Sequence, residues 1–143
     1  MAERIFVDTW GWLTLHDKRE RRHEELKTYC LLMEDQGIRW LTTDYVFDET
    51  FTILFRRLAA DRAKVAVELL QDMERKGFLV VERIGAERFE KAVQFRFKFL
   101  DKPDISFTDL TSMVVMDELK IRTIITADGH FMHSGKGFQV VPE

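Results

Sequence analysis

The sequence predicts an α/β fold, a three-layer α/β/α sandwich around a mainly parallel central sheet of about five short strands. Two observations carry this expectation. Short runs rich in β-branched and aromatic residues alternate with longer helical segments. Strands separated by helices cannot be hairpin partners, so they pair through right-handed crossovers that put helices on both faces of the sheet.

In chain order, the first strand covers residues 5–7 and runs straight into Asp8 and Thr9. A helix over 23–36 stops at Gly37, and the second strand covers 39–41. Thr43 and Asp44 both suit the cap of a helix over 45–58, and another helix follows at about 62–75. The third strand, 78–81, leads to helices at 87–99 and 109–119. Two last strands, 123–125 and 139–141, close the list, with no internal repeat and no low-complexity segment.

A chain of 143 residues suits one domain spanning residues 1–143, and its 45% hydrophobic and 12% aromatic content is globular rather than disordered. No stretch approaches the roughly 18 uninterrupted apolar residues of a membrane helix, and no secretory signal opens the chain. A single cysteine, Cys30, forms no intramolecular disulfide; its spacing to Leu26 and Tyr29 suits core. The expectation is a soluble cytoplasmic protein without a membrane partner.

The net charge of −3, from 22 basic and 25 acidic residues, neither demands nor excludes nucleic acid, because phosphate binding depends on where cations cluster. They cluster at Lys18, Arg19, Arg21, Arg22 and His23, and again at Arg56 and Arg57. A solvated helix face is the ordinary reading of both, and a guide for phosphates is the alternative.

Four acids stand out. Asp8 ends the first strand, and the strand 123–125 repeats the pattern with Thr126, Ala127 and Asp128. Ligands of open α/β sheets bind at the carboxyl ends of strands, so two such acids share a crevice if their strands are neighbours. Like charges that close disfavour ionisation unless a divalent cation intervenes. Glu49 and Asp109 lie in helices without a basic residue three or four positions away. Taken singly, each has a plain reading: a cap or turn for Asp8 and Asp128, a first-turn charge for Asp109, a solvated surface acid for Glu49.

Taken together, FVDTW, DYVFDET, SFTDLTSMVVM and TIITADGHF resemble, in order and over essentially the whole chain, the signature of the PIN-domain ribonucleases. The likeness is greatest to the toxins of VapBC toxin–antitoxin modules. The resemblance implies that Asp8, Glu49, Asp109 and Asp128 form the acidic metal-binding quartet, with Asp8 and Asp109 as direct ligands and Thr9 and Thr126 as supporting hydroxyls. It also implies an endoribonuclease that leaves a 3′-hydroxyl and a 5′-phosphate, an antitoxin partner and a homodimer. Oxygen ligands with few histidines suit Mg²⁺, or Mn²⁺, rather than zinc. His130 and His133 are expected to be loop residues facing solvent.

Trp10 and Trp12 read as core or contact residues before base-stacking platforms, and Phe89, Phe95, Phe97 and Phe99 as core at helical spacing or part of an antitoxin groove. The alternative function is a non-catalytic PIN-like module that binds RNA or protein. A haloacid-dehalogenase phosphotransferase would need an aspartate at position 10, where tryptophan stands, and a response-regulator receiver would need an acidic pair at the end of the first strand.

Overall fold

Residues 3–143 are described by the computed structural model. Five strands form one sheet: β1 (Arg4–Val7), β2 (Arg39–Thr43), β3 (Leu79–Glu82), β4 (Thr123–Ile125) and β5 (Gln139–Val141). Helices flank it: α1 (Thr9–His16), α2 (His23–Asp35), α3 (Asp44–Arg57), α4 (Ala60–Arg75), α5 (Gly85–Lys98) and α6 (Phe107–Leu119). A 3₁₀ turn at Gly129–Ser134 precedes β5.

Every strand pair is parallel and the order is β3-β2-β1-β4-β5. The chain winds outward from β1 through β2 to β3, then returns to the other side of β1 with β4. Strand order therefore reverses between β1 and β4, the kind of switch point where the loops part and leave a crevice. The register Phe6↔Ile124 and Val7↔Ile125 brings the residues after both strands to the same edge.

Burial explains why the central strands read as unbroken apolar runs. Ile5, Phe6, Val7, Trp40 and Leu41 are all buried, as parallel strands covered on both faces should be. Strand β2 extends past the expected residue 41 through Thr42 and Thr43, which are also buried: the Thr42 hydroxyl donates to the Val7 carbonyl at 2.9 Å. The Thr43 hydroxyl accepts from the Val46 amide at 3.1 Å and caps α3. Helix α2 stops where Gly37, with φ +82°, supplies the left-handed conformation that most residues avoid.

Helix α1 is an addition to the expected elements. Its sequence TWGWLTLH has no polar face, so no amphipathic period announces it, and Thr9, Gly11, Trp12, Leu13 and Thr14 are all buried. Gly11 allows the close approach this requires: a Cβ there would lie 2.6 Å from Val7 Cγ1 and 2.9 Å from Ile125 Cγ2. The Trp12 indole donates to Thr42 Oγ1 at 3.3 Å, tying α1 to β2.

Cys30 is core, as expected, and burial pushes its thiol up to about 12. The phenylalanine segment is not uniformly core: Phe99 is buried and Phe95 half-buried, whereas Phe97 is 60% and Phe89 42% exposed. Phe89 nonetheless packs on Phe107, with ring centroids 5.0 Å apart. Among the described residues, no helix is long and apolar enough to cross a membrane.

Candidate functional site

Asp8 follows β1 and caps α1, its Oδ1 accepting from the Gly11 amide at 3.4 Å. The cap and the site are the same residue. Asp128 follows β4 and caps the 3₁₀ turn, accepting from the His130 amide at 2.9 Å. Asp109 lies in the first turn of α6, where Ser106 caps the helix by accepting the Asp109 amide at 3.0 Å. Glu49 comes from α3 and is half-buried. All four line one crevice at the β1–β4 switch point, together with Thr9, Trp10, Ser106 and Thr126.

They are not equally close. Asp109, Asp128 and His130 each offer a ligand atom, and the three atoms lie within 4.8 Å of one another. Asp8 stands beside this group and Glu49 shares the crevice without joining the tight cluster. The Thr126 hydroxyl donates to Asp8 Oδ2 and accepts from the Asp128 amide at 3.0 Å, so one buried side chain connects the acids that follow β1 and β4.

The electrostatics match the geometry. Burial pushes Asp8 up to about 7, against the pull of hydrogen bonds from Thr126, Gly11 and Trp10, and the Asp128 charge adds to the rise. Burial also raises Asp109, to about 8, reinforced by its hydrogen bond with Asp128 and by the charges of Asp128 and Asp8. Two carboxyls that resist ionisation in a crevice of further carboxylates make a site that a hard cation would relieve.

His130 differs from the expectation that it faces solvent. Its side chain is 37% exposed, with Nδ1 2.9 Å from Asp128 Oδ1 but off the line of a hydrogen bond. His133, by contrast, is exposed. The 3₁₀ turn carries His130 inward, and sequence spacing gives no sign of it. Partners for a metal-bound imidazole therefore do exist, in Asp109 and Asp128.

Apart from Arg57, which the sequence offered as a possible guide for phosphates, the residues that frame the crevice gave no signal in the sequence. Arg57 and Glu20 line it and pair at 2.8 Å; Asp104 lies on its rim. Arg96 holds the loop that delivers Ser106 and Asp109, donating to the carbonyls of Phe99 and Ile105 at 2.7 Å and of Lys102 at 2.6 Å. The first basic cluster runs up to the start of α2 rather than lying on a helix face, and Lys18, Arg19 and Arg21 in it are exposed. Arg19 is folded onto Asp17, Arg22 binds Glu25 and lies over the Trp10 ring, and His23 is buried. Trp12 is core, whereas half-buried Trp10 reaches the crevice.

Similarity to known proteins agrees with this picture. No protein-family model and no curated protein matches the sequence. Among solved structures, the chain is similar to VapC20 of Mycobacterium tuberculosis, described as a sarcin-ricin loop cleaving toxin. The TM-score is 0.77 at 29% identity, covering 92% of this chain and 95% of that one. It also shares its fold with a chain of VapBC2 from Rickettsia felis, solved with a DNA fragment from the promoter. There the TM-score is 0.70 at 12% identity, covering 96% of each chain. The all-parallel five-stranded sheet flanked by helices is the PIN-like fold of these VapC neighbours. Within that fold the chain resembles the VapC-type toxins.

Proposed function

We propose that the chain, as one PIN domain over residues 1–143, is a metal-dependent endoribonuclease and the toxin of a toxin–antitoxin pair. The observation that carries this reading is the convergence of Asp8, Glu49, Asp109 and Asp128, from four separate parts of the sequence, in one crevice. Its support from comparison is the likeness to VapC20, a sarcin-ricin loop cleaving toxin by its description.

The donor set fits a hard divalent cation. It is dominated by carboxylate oxygen, and burial and mutual repulsion hold Asp8 and Asp109 above the ordinary carboxylate range. Asp8 and Asp109 would hold the ion directly, with Glu49 and Asp128 supporting it; Mg²⁺ or Mn²⁺ is the proposed cofactor. When bound, such an ion polarises a phosphodiester and makes water a competent nucleophile near neutral pH.

The chain's own residues supply the positioning. Thr126 fixes the rotamer of Asp8 and the backbone of Asp128. Arg96 and Ser106 fix the start of α6 and with it Asp109. Trp12 and Gly11 seat α1 so that Asp8 faces the crevice. No side chain needs to attack the phosphorus, and the proposed nucleophile is water, which would leave a 5′-phosphate.

The proposed antitoxin and a second copy of the chain need apolar surface to cover. Leu31 and Leu32 on α2 and Val65 and Leu69 on α4 are each more than half exposed. Cytoplasmic residence is part of the same proposal.

Incubating purified protein with total cellular RNA and Mg²⁺, with and without EDTA, tests the reading. Discrete chelator-sensitive cuts ending in 5′-phosphates are expected. RNA binding without cleavage at any Mg²⁺ or Mn²⁺ concentration would replace the nuclease with a non-catalytic PIN-like module.

A further inference from the structure

Arg57 belongs to two concavities of opposite charge. In the crevice it is the single cation among six carboxylates: Asp8, Glu20, Glu49, Asp104, Asp109 and Asp128. It also lines an adjoining recess with Lys18, Arg19 and Arg62, where Asp17 is the only acid. That acid is already neutralised, because Arg19 holds both its oxygens at 3.0 Å. Arg57 is held by Glu20 at 2.8 Å. Lys18 and Arg62 are exposed and pair with no carboxylate among the described residues.

The recess is built, not a loose fringe of side chains. Arg19 Nη2 donates to the Arg57 carbonyl at 3.1 Å, fastening the segment between α1 and α2 to the end of α3. Its floor is the turn Leu58–Ala59 between α3 and α4. The segment between α1 and α2 and the first turn of α4 thus present two uncommitted cations, Lys18 and Arg62, beside an anionic crevice.

The phosphodiester backbone of a polynucleotide poses a problem for such a crevice. The scissile phosphate sits over a cation, but its neighbours are repelled by the surrounding carboxylates and need a positive seat of their own. We infer that the recess of Lys18, Arg19, Arg57 and Arg62 is a phosphate subsite for the RNA backbone next to the scissile bond. Lys18 and Arg62 contact the flanking phosphate there, and Arg57 bridges recess and crevice. This rests on the proposed nuclease activity. Contacts of this kind set register and affinity without reading base identity.

The double variant Lys18→Gln, Arg62→Gln tests it, since neither side chain supports another residue. Steady-state cleavage of a fluorogenic single-stranded RNA in Mg²⁺ is expected to show KM raised about tenfold with kcat preserved, the order expected for two lost phosphate contacts. Anisotropy of a labelled RNA on the cleavage-deficient Asp8→Asn background should show a salt slope shallower by about 0.7 per lost contact. Lys98→Gln, an exposed cation on α5 outside both concavities, serves as the control that leaves both quantities at parental values. An unchanged KM and salt slope in the double variant, beside a parent that cleaves RNA, overturns the subsite alone. So does a fall in kcat at constant KM, or a loss of duplex DNA binding with RNA binding intact. A parent that neither binds nor cuts RNA overturns the nuclease reading and the subsite together.

Discussion

Thr126 donates its hydroxyl proton to Asp8, and with the same oxygen it accepts the amide of Asp128. A three-atom side chain thereby sets the spacing of two acids that lie 120 positions apart in sequence, across the β1–β4 seam. Thr126→Val keeps the shape and removes both bonds, leaving a buried carboxyl and a buried amide without their partner. A loss of about 1–3 kcal/mol in denaturant unfolding is expected, with Thr126→Ser close to the parent. Equal stability of the valine and serine variants would show that the hydroxyl does not organise the site.

Asp8→Asn should have the opposite sign in metal-free protein. The wild-type carboxyl, buried and raised to about 7, is strained at alkaline pH by its own charge and that of Asp128. The amide keeps the shape without the charge. The melting temperature in EDTA at pH 8 should rise, while cleavage and stabilisation by Mg²⁺ both disappear. A variant that melts lower than the parent and still gains stability from Mg²⁺ would remove Asp8 from the cation site.

The same groups give the metal-free protein a pH dependence of definite direction. A carboxyl whose folded value is raised binds protons that the unfolded chain has released, so its stabilising contribution is complete below 3.8 and is lost as pH rises through the folded value. His16, lowered by burial and by His23, acts in the other direction but only below 6.5. Asp17, held low by its hydrogen bonds with Arg19, acts only in acid. Between pH 6.5 and about 8, then, unfolding free energy in EDTA should fall, at up to about 1.4 kcal/mol per pH unit for each proton. Saturating Mg²⁺ should flatten the curve. A metal-free stability that climbs over this interval would contradict the raised carboxyls.

Gly11 supplies a packing test. Adding a methyl group means intruding on Val7 Cγ1 and Ile125 Cγ2, both side chains of the buried central strands. Gly11→Ala should cost about 1–3 kcal/mol in urea unfolding. It should also reduce Mg²⁺ affinity, because α1 carries its cap, Asp8, away from the crevice as it shifts. A fully stable Gly11→Ala protein would mean that α1 does not sit tightly on β1 and β4.

Much of the fold can be read from the sequence because its parallel strands are short, apolar and separated by helices of ordinary period. Strands β4 and β5 match the expected residues, and β1, β2 and β3 differ by one or two at their ends. The misses have physical causes. Helix α1 is buried on all sides and so carries no amphipathic signal. Thr42 and Thr43 extend β2 because they pair with Val81 and Glu82 of β3, a long-range register that no local pattern gives, and the Thr42 hydroxyl is satisfied by the Val7 carbonyl.

At the site, residue type and order single out the four acids; the β1–β4 register brings Asp8 and Asp128 to one edge, and helices α3 and α6 bring Glu49 and Asp109 to the same crevice. Cap and ligand compete as readings of Asp8 and Asp128 in sequence; in three dimensions each caps a turn and still lines the crevice. His130, Glu20 and Arg57 enter the crevice through contacts between distant segments, which no local pattern encodes.

The sealed position of Cys30 offers a built-in clock. A thiol that is shielded by packing and reluctant to form thiolate reacts with alkylating reagents only when α2 lifts away. As the chain has no other sulfhydryl, the labelling rate counts opening events directly. The proposed binding of antitoxin, RNA or cation would each register as a slowing of one reaction at one atom.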